Sequence, residues 1–229
     1  MSSEADGRTI DFAITLAPAV RSLWPGFKIG YACFCNADNA SPNSQSQAML
    51  EGLKDNLAAK AQSLKGKTKG MEVFFQRNQA RRAYHISSLI DATLSGRIPR
   101  SINPAVDIIL FVELDNGILM GLHDLNFLNR QLIIDVAKPE ERMDHISGRT
   151  ISLVPNSIVL RNGESVMASL TDGPDRLTSV TPKTTDILLL IFGSPEESIQ
   201  EMSKVLLQSS EYFKSLLSAK FSGSQIMEA

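Results

Sequence analysis

At 229 residues the chain has room for one large domain or two small ones. Apolar residues make up 43% and charged residues 21%, an ordinary globular composition, and a net charge of −2 excludes nucleic-acid binding by overall charge alone. No apolar leader opens the chain and no run approaches the roughly 18 apolar residues of a membrane span, so a cytoplasmic protein is expected.

Residues 1–8 are polar and expected to be disordered. Residues 10–16 alternate imperfectly and read as a short strand. Residues 17–23 read as one or two helical turns, stopped by Pro25-Gly26. Residues 27–36 form a strong strand pattern that puts Cys33 and Cys35 on one face. Two cysteines without a matching pair elsewhere are too few for zinc, so core packing is their expected role.

A helix is predicted over 44–64, with Ser41, Asn43 and Ser44 as capping candidates. Met49, Leu53, Leu57, Ala61 and Leu64 form its apolar stripe. The run Lys65-Gly66-Lys67-Thr68-Lys69-Gly70 is expected to end it. Residues 71–84 carry Val73, Phe74 and Phe75, then Arg77, Arg81 and Arg82. Between 60 and 82 seven basic residues stand against the single acid Glu72. Lys65, Lys67, Lys69, Arg77, Arg81 and Arg82 are thus candidates for an RNA-binding face; the plain alternative is a solvated surface. His85 marks only a junction. Ser87 is expected to cap a short helix over 88–94, closed by Gly96.

The stretch 101–127 organises the chain. Pro104 suits a first helical turn, and 105–114 is apolar on nearly every side, which predicts a buried helix. Asp107 falls where the helix N-terminus favours an acid. After Asn116-Gly117, the residues Gly121-Leu122-His123-Asp124 are expected to form a tight loop at the rim of a pocket.

Beyond 127 the texture becomes β. Strands are predicted at 131–136, 150–154, 158–161 and 166–170, the last two joined as a hairpin by Asn162-Gly163. Residues 137–146 read as a charged loop, 171–183 as a polar loop and 187–192 as a buried strand. The last helix is expected to start at Ser194-Pro195-Glu196-Glu197, with Ile199, Met202, Val205, Leu206, Phe213, Leu216 and Leu217 on its apolar face. Residues 222–229 read as a tail, leaving 9–221 as a single domain. No nucleophile elbow, Walker loop, dinucleotide fingerprint or metal-ligand spacing is present, so neither cofactor nor metal is expected.

The order of features carries a resemblance. Ile102-Asn103-Pro104-Ala105-Val106-Asp107 is similar to an Asn-Pro-x-Val-Asp segment. Gly117 then leads into Met120-Gly121-Leu122-His123-Asp124-Leu125. Further on, Gly173-Pro174-Asp175-Arg176 is followed by Thr178, Thr181 and Thr184-Thr185 before Ile187-Leu188-Leu189. Together these resemble the B3/B4 domain, the editing domain of the phenylalanyl-tRNA synthetase beta subunit, and more closely its free-standing relatives. The resemblance runs from about Trp24 to Phe213. It implies a mixed α/β (α+β) fold, a β-sheet core covered by helices. In the synthetase this domain hydrolyses tyrosine wrongly attached to the phenylalanine tRNA. Three polar groups of that site are replaced here. Ile109 stands for a Thr, Gly121 for a His, and Leu190 for the Glu that reads the tyrosine hydroxyl. A pocket without that buried polar partner does not favour a phenol.

The polar groups kept at the same rim are His123, Asp124, Asp175, Arg176 and Thr178. His123 and Asp124 are the candidate catalytic pair, for proton transfer and for orienting water or an amino group. Gly121, Gly173, Asp175, Arg176 and Thr178 are candidate substrate contacts: the glycines let backbone approach a ligand, and Arg176 suits a carboxylate or phosphate. The same residues have structural readings. Asp124 can cap the next turn, Asp175 and Arg176 can pair, and His123 can lie idle on the surface. Three functions stay open: an aminoacyl-tRNA deacylase that clears a mischarged tRNA or related ester, a non-catalytic module binding RNA or an amino-acid-like small molecule, or a protein that works through partners over a vestigial pocket.

Overall fold

The computed structural model describes residues 12–40, 43–78, 84–97 and 100–229, without the side chains of 53–59 and 61–62. Arg81 and Arg82, residues 1–8, Ser41, and the stripe side chains Leu53, Leu57 and Ala61 lie outside the described residues. The fold is mixed α+β, built on two larger sheets.

One sheet has four strands in the order β11 (Lys220–Glu228), β2 (Lys28–Cys35), β10 (Ile187–Gly193) and β3 (Leu119–Asp124), all antiparallel. The other has five: β1 (Ala13–Leu16), β4 (Gln131–Val136), β7 (Ile158–Asn162), β8 (Ser165–Ser169) and β9 (Gly173–Pro174). Only its β1–β4 pairing is parallel. A small hairpin pairs β5 (Arg142–Asp144) with β6 (Thr150–Ser152).

Alternation along the strands splits the core. Ile29, Tyr31 and Cys33 on β2, with Leu188 and Leu190 on β10, share one apolar cluster with Leu132, Ile134, Ile158 and Leu160 of the other sheet. The opposite face of β2 and β10 packs on two helices, α4 (Pro104–Asn116) and α5 (Ile199–Leu217). Phe34 stacks on Phe213 there, ring centres 4.6 Å apart. α1 (Pro18–Leu23) lies beside β4. α2 (Ser44–Arg77) and α3 (His85–Leu94) complete the first cluster through Met71, Phe74, Ile86 and Ile90. No described helix is long and apolar enough to cross a membrane.

Several local expectations give way, among them the Ser87 cap, since α3 already starts at His85 after Tyr84. α2 does not stop at Leu64 but runs 34 residues. Its buried stripe continues through Thr68, Met71, Phe75 and Asn78, so a polar-looking run hides helical periodicity. Residues 121–124 are strand rather than loop, paired residue for residue with β10. α5 begins at Ile199, with a capping box between Ser198 and Glu201; the upstream Ser194 and Glu197 close a separate turn with the same chemistry. Residues 220–228 form an outer strand on β2 instead of a tail.

The segment that opens α4 is structural. Asn103 caps the helix by accepting from the Val106 N–H at 3.0 Å. The buried Asp107 carboxylate gathers Ser46, Ser101 and the Ile102 N–H. Cys33 and Cys35 are buried thiols, and burial pushes Cys33 up to about 12, which leaves it inert.

Candidate functional site

The residues singled out around 121–124 have internal partners. His123 is 2% exposed, and its Nδ1 lies 2.7 Å from Thr178 Oγ1. Thr178 donates that hydroxyl to Asp175, so its oxygen accepts from His123 Nδ1–H. Burial pulls His123 down to about 3, leaving a neutral ring across the physiological range. Asp124 accepts from Thr184 Oγ1 at 2.7 Å and from the Asn126 N–H at 2.9 Å, capping the 3-10 turn Leu125–Phe127. The structure therefore joins His123, Thr178 and Asp175 in one chain of hydrogen bonds and ties Asp124 into the adjoining turn.

Gly121 faces Leu190 in register across β3 and β10. A Cβ there would meet Phe192 at 3.6 Å, an ordinary contact. The two positions are thus direct neighbours, and neither carries a polar side chain. Gly173 is different: its φ of +94° is the left-handed region that other residues resist. Asp175 and Arg176 continue from β9 and line an outer cavity of about 800 Å³ with Arg142, Asp144 and Glu164. No ion pair joins Asp175 to Arg176 among the described residues.

A second cavity, of about 440 Å³, borders the residues just before these, Asp172, Gly173 and Pro174. Its apolar wall comes from Phe75 on α2, Leu119 and Met120 on β3, Ile146, and Leu170. Two polar sets stand against that wall. The first belongs to α3. His85 lines the cavity with its side chain about half exposed (53%), and its Nε2 lies 3.8 Å from Glu113 Oε2. Glu113 is buried on α4 and accepts from the Met120 N–H at 2.9 Å. Burial pushes Glu113 up to about 8 and pulls His85 below its ordinary value. At neutral pH the contact is not a formed ion pair. Glu113 keeps its proton and the His85 ring is neutral. Behind them Tyr84 is buried, and burial raises it well above the usual phenol range, helped by Glu113, Glu197 and Glu72.

The second set follows β8. Asp172 Oδ2 accepts from Ser169 Oγ and Thr171 Oγ1, each at 2.9 Å. His145 donates Nε2–H to the Asp172 carbonyl at 2.9 Å, because its Nδ1 already accepts from the Ser147 N–H. That bond fixes the ring and holds the strand end against the hairpin. Asp172 and Glu113 carry no motif that marks them in the sequence, and nothing local links His85 to Glu113.

The basic residues of α2 are dispersed. At 3.6 residues per turn Lys65, Lys67 and Arg77 leave the helix in different directions. Lys65 pairs with Asp91 at 2.8 Å, and Arg77 lies over the Trp24 ring at 5.8 Å. Lys67 and Lys69 are exposed on the helix surface. Among the described residues no cluster of His, Cys, Asp or Glu is arranged to hold a metal.

Comparison with known proteins places this geometry. The chain is similar to the phenylalanine–tRNA ligase beta subunit of Hahella chejuensis, 30% identical over 90 residues, which is 39% of this chain and 11% of that subunit. Its fold is similar to the crystal structure of an N-terminal fragment of the phenylalanyl-tRNA synthetase beta-subunit from Pyrococcus horikoshii. The TM-score is 0.52 at 10% identity, over 95% of this chain and 55% of that one. The chain therefore spans only a small part of the first relative and about half of the second. The family model of the B3/4 domain matches residues 82–216, which contain α3, α4, β3 and the Asp172 loop. This chain belongs to the B3/4 domain family.

Proposed function

We propose that the chain hydrolyses the ester between an amino acid and the terminal ribose of a tRNA, or a closely related amino-acid ester, in the cavity between α3 and the Asp172 loop. One observation carries this reading. An apolar-walled cavity of amino-acid size is lined by a neutral histidine that stands 3.8 Å from a buried carboxyl, inside a B3/4 domain. His85 Nε2 faces Glu113, which leaves Nδ1 for a water. That water attacks the ester carbonyl while Nδ1 takes its proton. Collapse of the tetrahedral intermediate releases the ribose hydroxyl, which receives the proton back. Glu113, uncharged at neutral pH and 3.8 Å from Nε2, lies on the far side of the ring from that water.

His123 and Asp124, the pair that the sequence favours, act in this reading as wall supports, and Gly173 shapes the cavity edge. Arg176, beside Arg142 in the outer cavity, is available to a phosphate. tRNA docking on α2 rests on Lys67, Lys69 and Arg77, since Lys65 shares its charge with Asp91. The missing polar trio at Ile109, Gly121 and Leu190 supports an amino acid other than tyrosine. It also favours a second reading, in which the cavity binds an amino-acid-like molecule and does no chemistry.

A panel of misacylated tRNAs incubated with the protein separates the two. Release of one apolar amino acid supports hydrolysis. Saturable binding of a non-hydrolysable aminoacyl-adenosine without release from any tRNA leaves the binding reading. RNA affinity is checked at low and high salt, because phosphate contacts weaken steeply as salt rises.

A further inference from the structure

We infer that Asp172 is the anchor for a primary ammonium group, so that the cavity takes ligands with a free α-amine beside an apolar side chain. The inference rests on the aminoacyl reading of the cavity and adds the group that selects the ligand. Ser169 and Thr171 both spend their hydroxyls on Asp172 Oδ2, which fixes the carboxylate plane. Oδ1 receives no hydrogen bond among the described residues, and no described ion pair involves Asp172. The carboxylate is half-buried and lines the cavity. A negative charge held at an apolar wall without a counter-charge is costly, and a cation removes that cost.

The surroundings decide which cation. His145 already donates its Nε2–H to the Asp172 backbone, so its ring is occupied. His85 is neutral and faces the buried Glu113 carboxyl. A divalent metal needs several oxygen or nitrogen donors, and one carboxylate with two donating hydroxyls is a poor set. A primary ammonium needs one fixed acceptor and leaves its carbon chain free to reach Phe75, Leu119 and Leu170. An α-amino acid with an aliphatic or plain aromatic side chain presents these two groups together. Its carbonyl shares the cavity with His85, which lines it too.

The test uses the full chain and three non-hydrolysable probes: 3′-amino-3′-deoxyadenosine acylated by leucine, its N-acetyl form, and the counterpart made with the matching 2-hydroxy acid. Dissociation constants are read by calorimetry. The free-amine probe is expected to bind at least about tenfold more tightly than the other two, the size of one charge-assisted hydrogen bond. Asp172→Asn keeps the shape and the acceptor for Ser169 and Thr171, and it is expected to reduce that preference to within about threefold. Equal binding of all three probes by the natural protein overturns the Asp172 assignment and leaves the cavity reading standing. Binding of none of them overturns both. The natural-protein comparison needs no variant, so it decides the matter even where Asp172→Asn fails to fold.

Discussion

Glu113 and His85 sit 3.8 Å apart, and their value to the molecule depends on which of them holds the proton. Glu113 is fully buried, and its one hydrogen bond, from the Met120 N–H, is too little to keep it ionised. Glu113→Gln preserves that acceptor and removes the titration. Glu113→Ala orphans the Met120 N–H and is expected to cost about 1–3 kcal/mol from that group alone. Denaturant titration of the two variants measures the difference; equal stabilities would show that the Met120 contact is idle. Asp107, by contrast, is satisfied from three sides, so Asp107→Ala leaves Ser101 and the Ile102 N–H without their acceptor, while Ser46 keeps the Asn43 carbonyl. A loss of about 2–4 kcal/mol in the same measurement is expected, with no change at the cavity.

At the scale of elements, the legible parts of the sequence are those whose signals are local. β4 matches its expected span, and the expected β7–β8 hairpin forms, with Asn162 still in β7 opposite Ser165 and Gly163 opening the turn at φ +64°. α4 follows from Asn103-Pro104 and its apolar run. The misread elements fail for physical reasons. α2 passes through Gly66 and Gly70 because tertiary contacts, Thr68 against Gly117 and Gly70 against Glu196, reward helix where propensity does not. β11 is an edge strand, so its polar composition is that of a surface and resembles a tail. The sequence holds two Ser-x-x-Glu signatures in a row, and only the packing of Met202 and Val205 selects the second as the helix cap. Ser198→Ala is accordingly expected to cost about 1 kcal/mol. Thermal melts of Ser198→Ala and Ser194→Ala check this; a larger loss at Ser194 would move the cap upstream. The site was illegible for the same reason as α2. His85, Glu113 and Asp172 meet only through sheet and helix packing, and no spacing announces them.

For the whole molecule, two buried groups with opposite shifts shape the dependence of stability on pH. His123 falls from an ordinary 6.5 to about 3, so the unfolded chain binds its proton first and stability is lost as pH drops from 6.5 towards 3. Glu113 rises from 4.5 to about 8, so the folded chain holds a proton that the unfolded chain has released. Its contribution is complete below 4.5 and is lost as pH rises towards 8. Each slope is about 1.4 kcal/mol per pH unit at most, and between the two ordinary values they cancel. Melting temperatures across this range are expected to form a plateau that declines at both ends. Glu113→Gln should flatten the alkaline decline and His123→Asn the acidic one. Unchanged profiles in both variants would mean that neither group titrates as its burial dictates.

The central claim places proton transfer at His85 in the cavity beside Asp172, away from His123. Single-turnover release of amino acid from the best substrate of the misacylated panel tests it most directly, with His85→Gln and His123→Asn compared at pH 7.5. The account predicts a loss of about a hundredfold or more for His85→Gln, the usual contribution of a positioned base, and a rate within about threefold of the natural protein for His123→Asn. The reverse order, or a His85→Gln protein as active as the natural one, would contradict it.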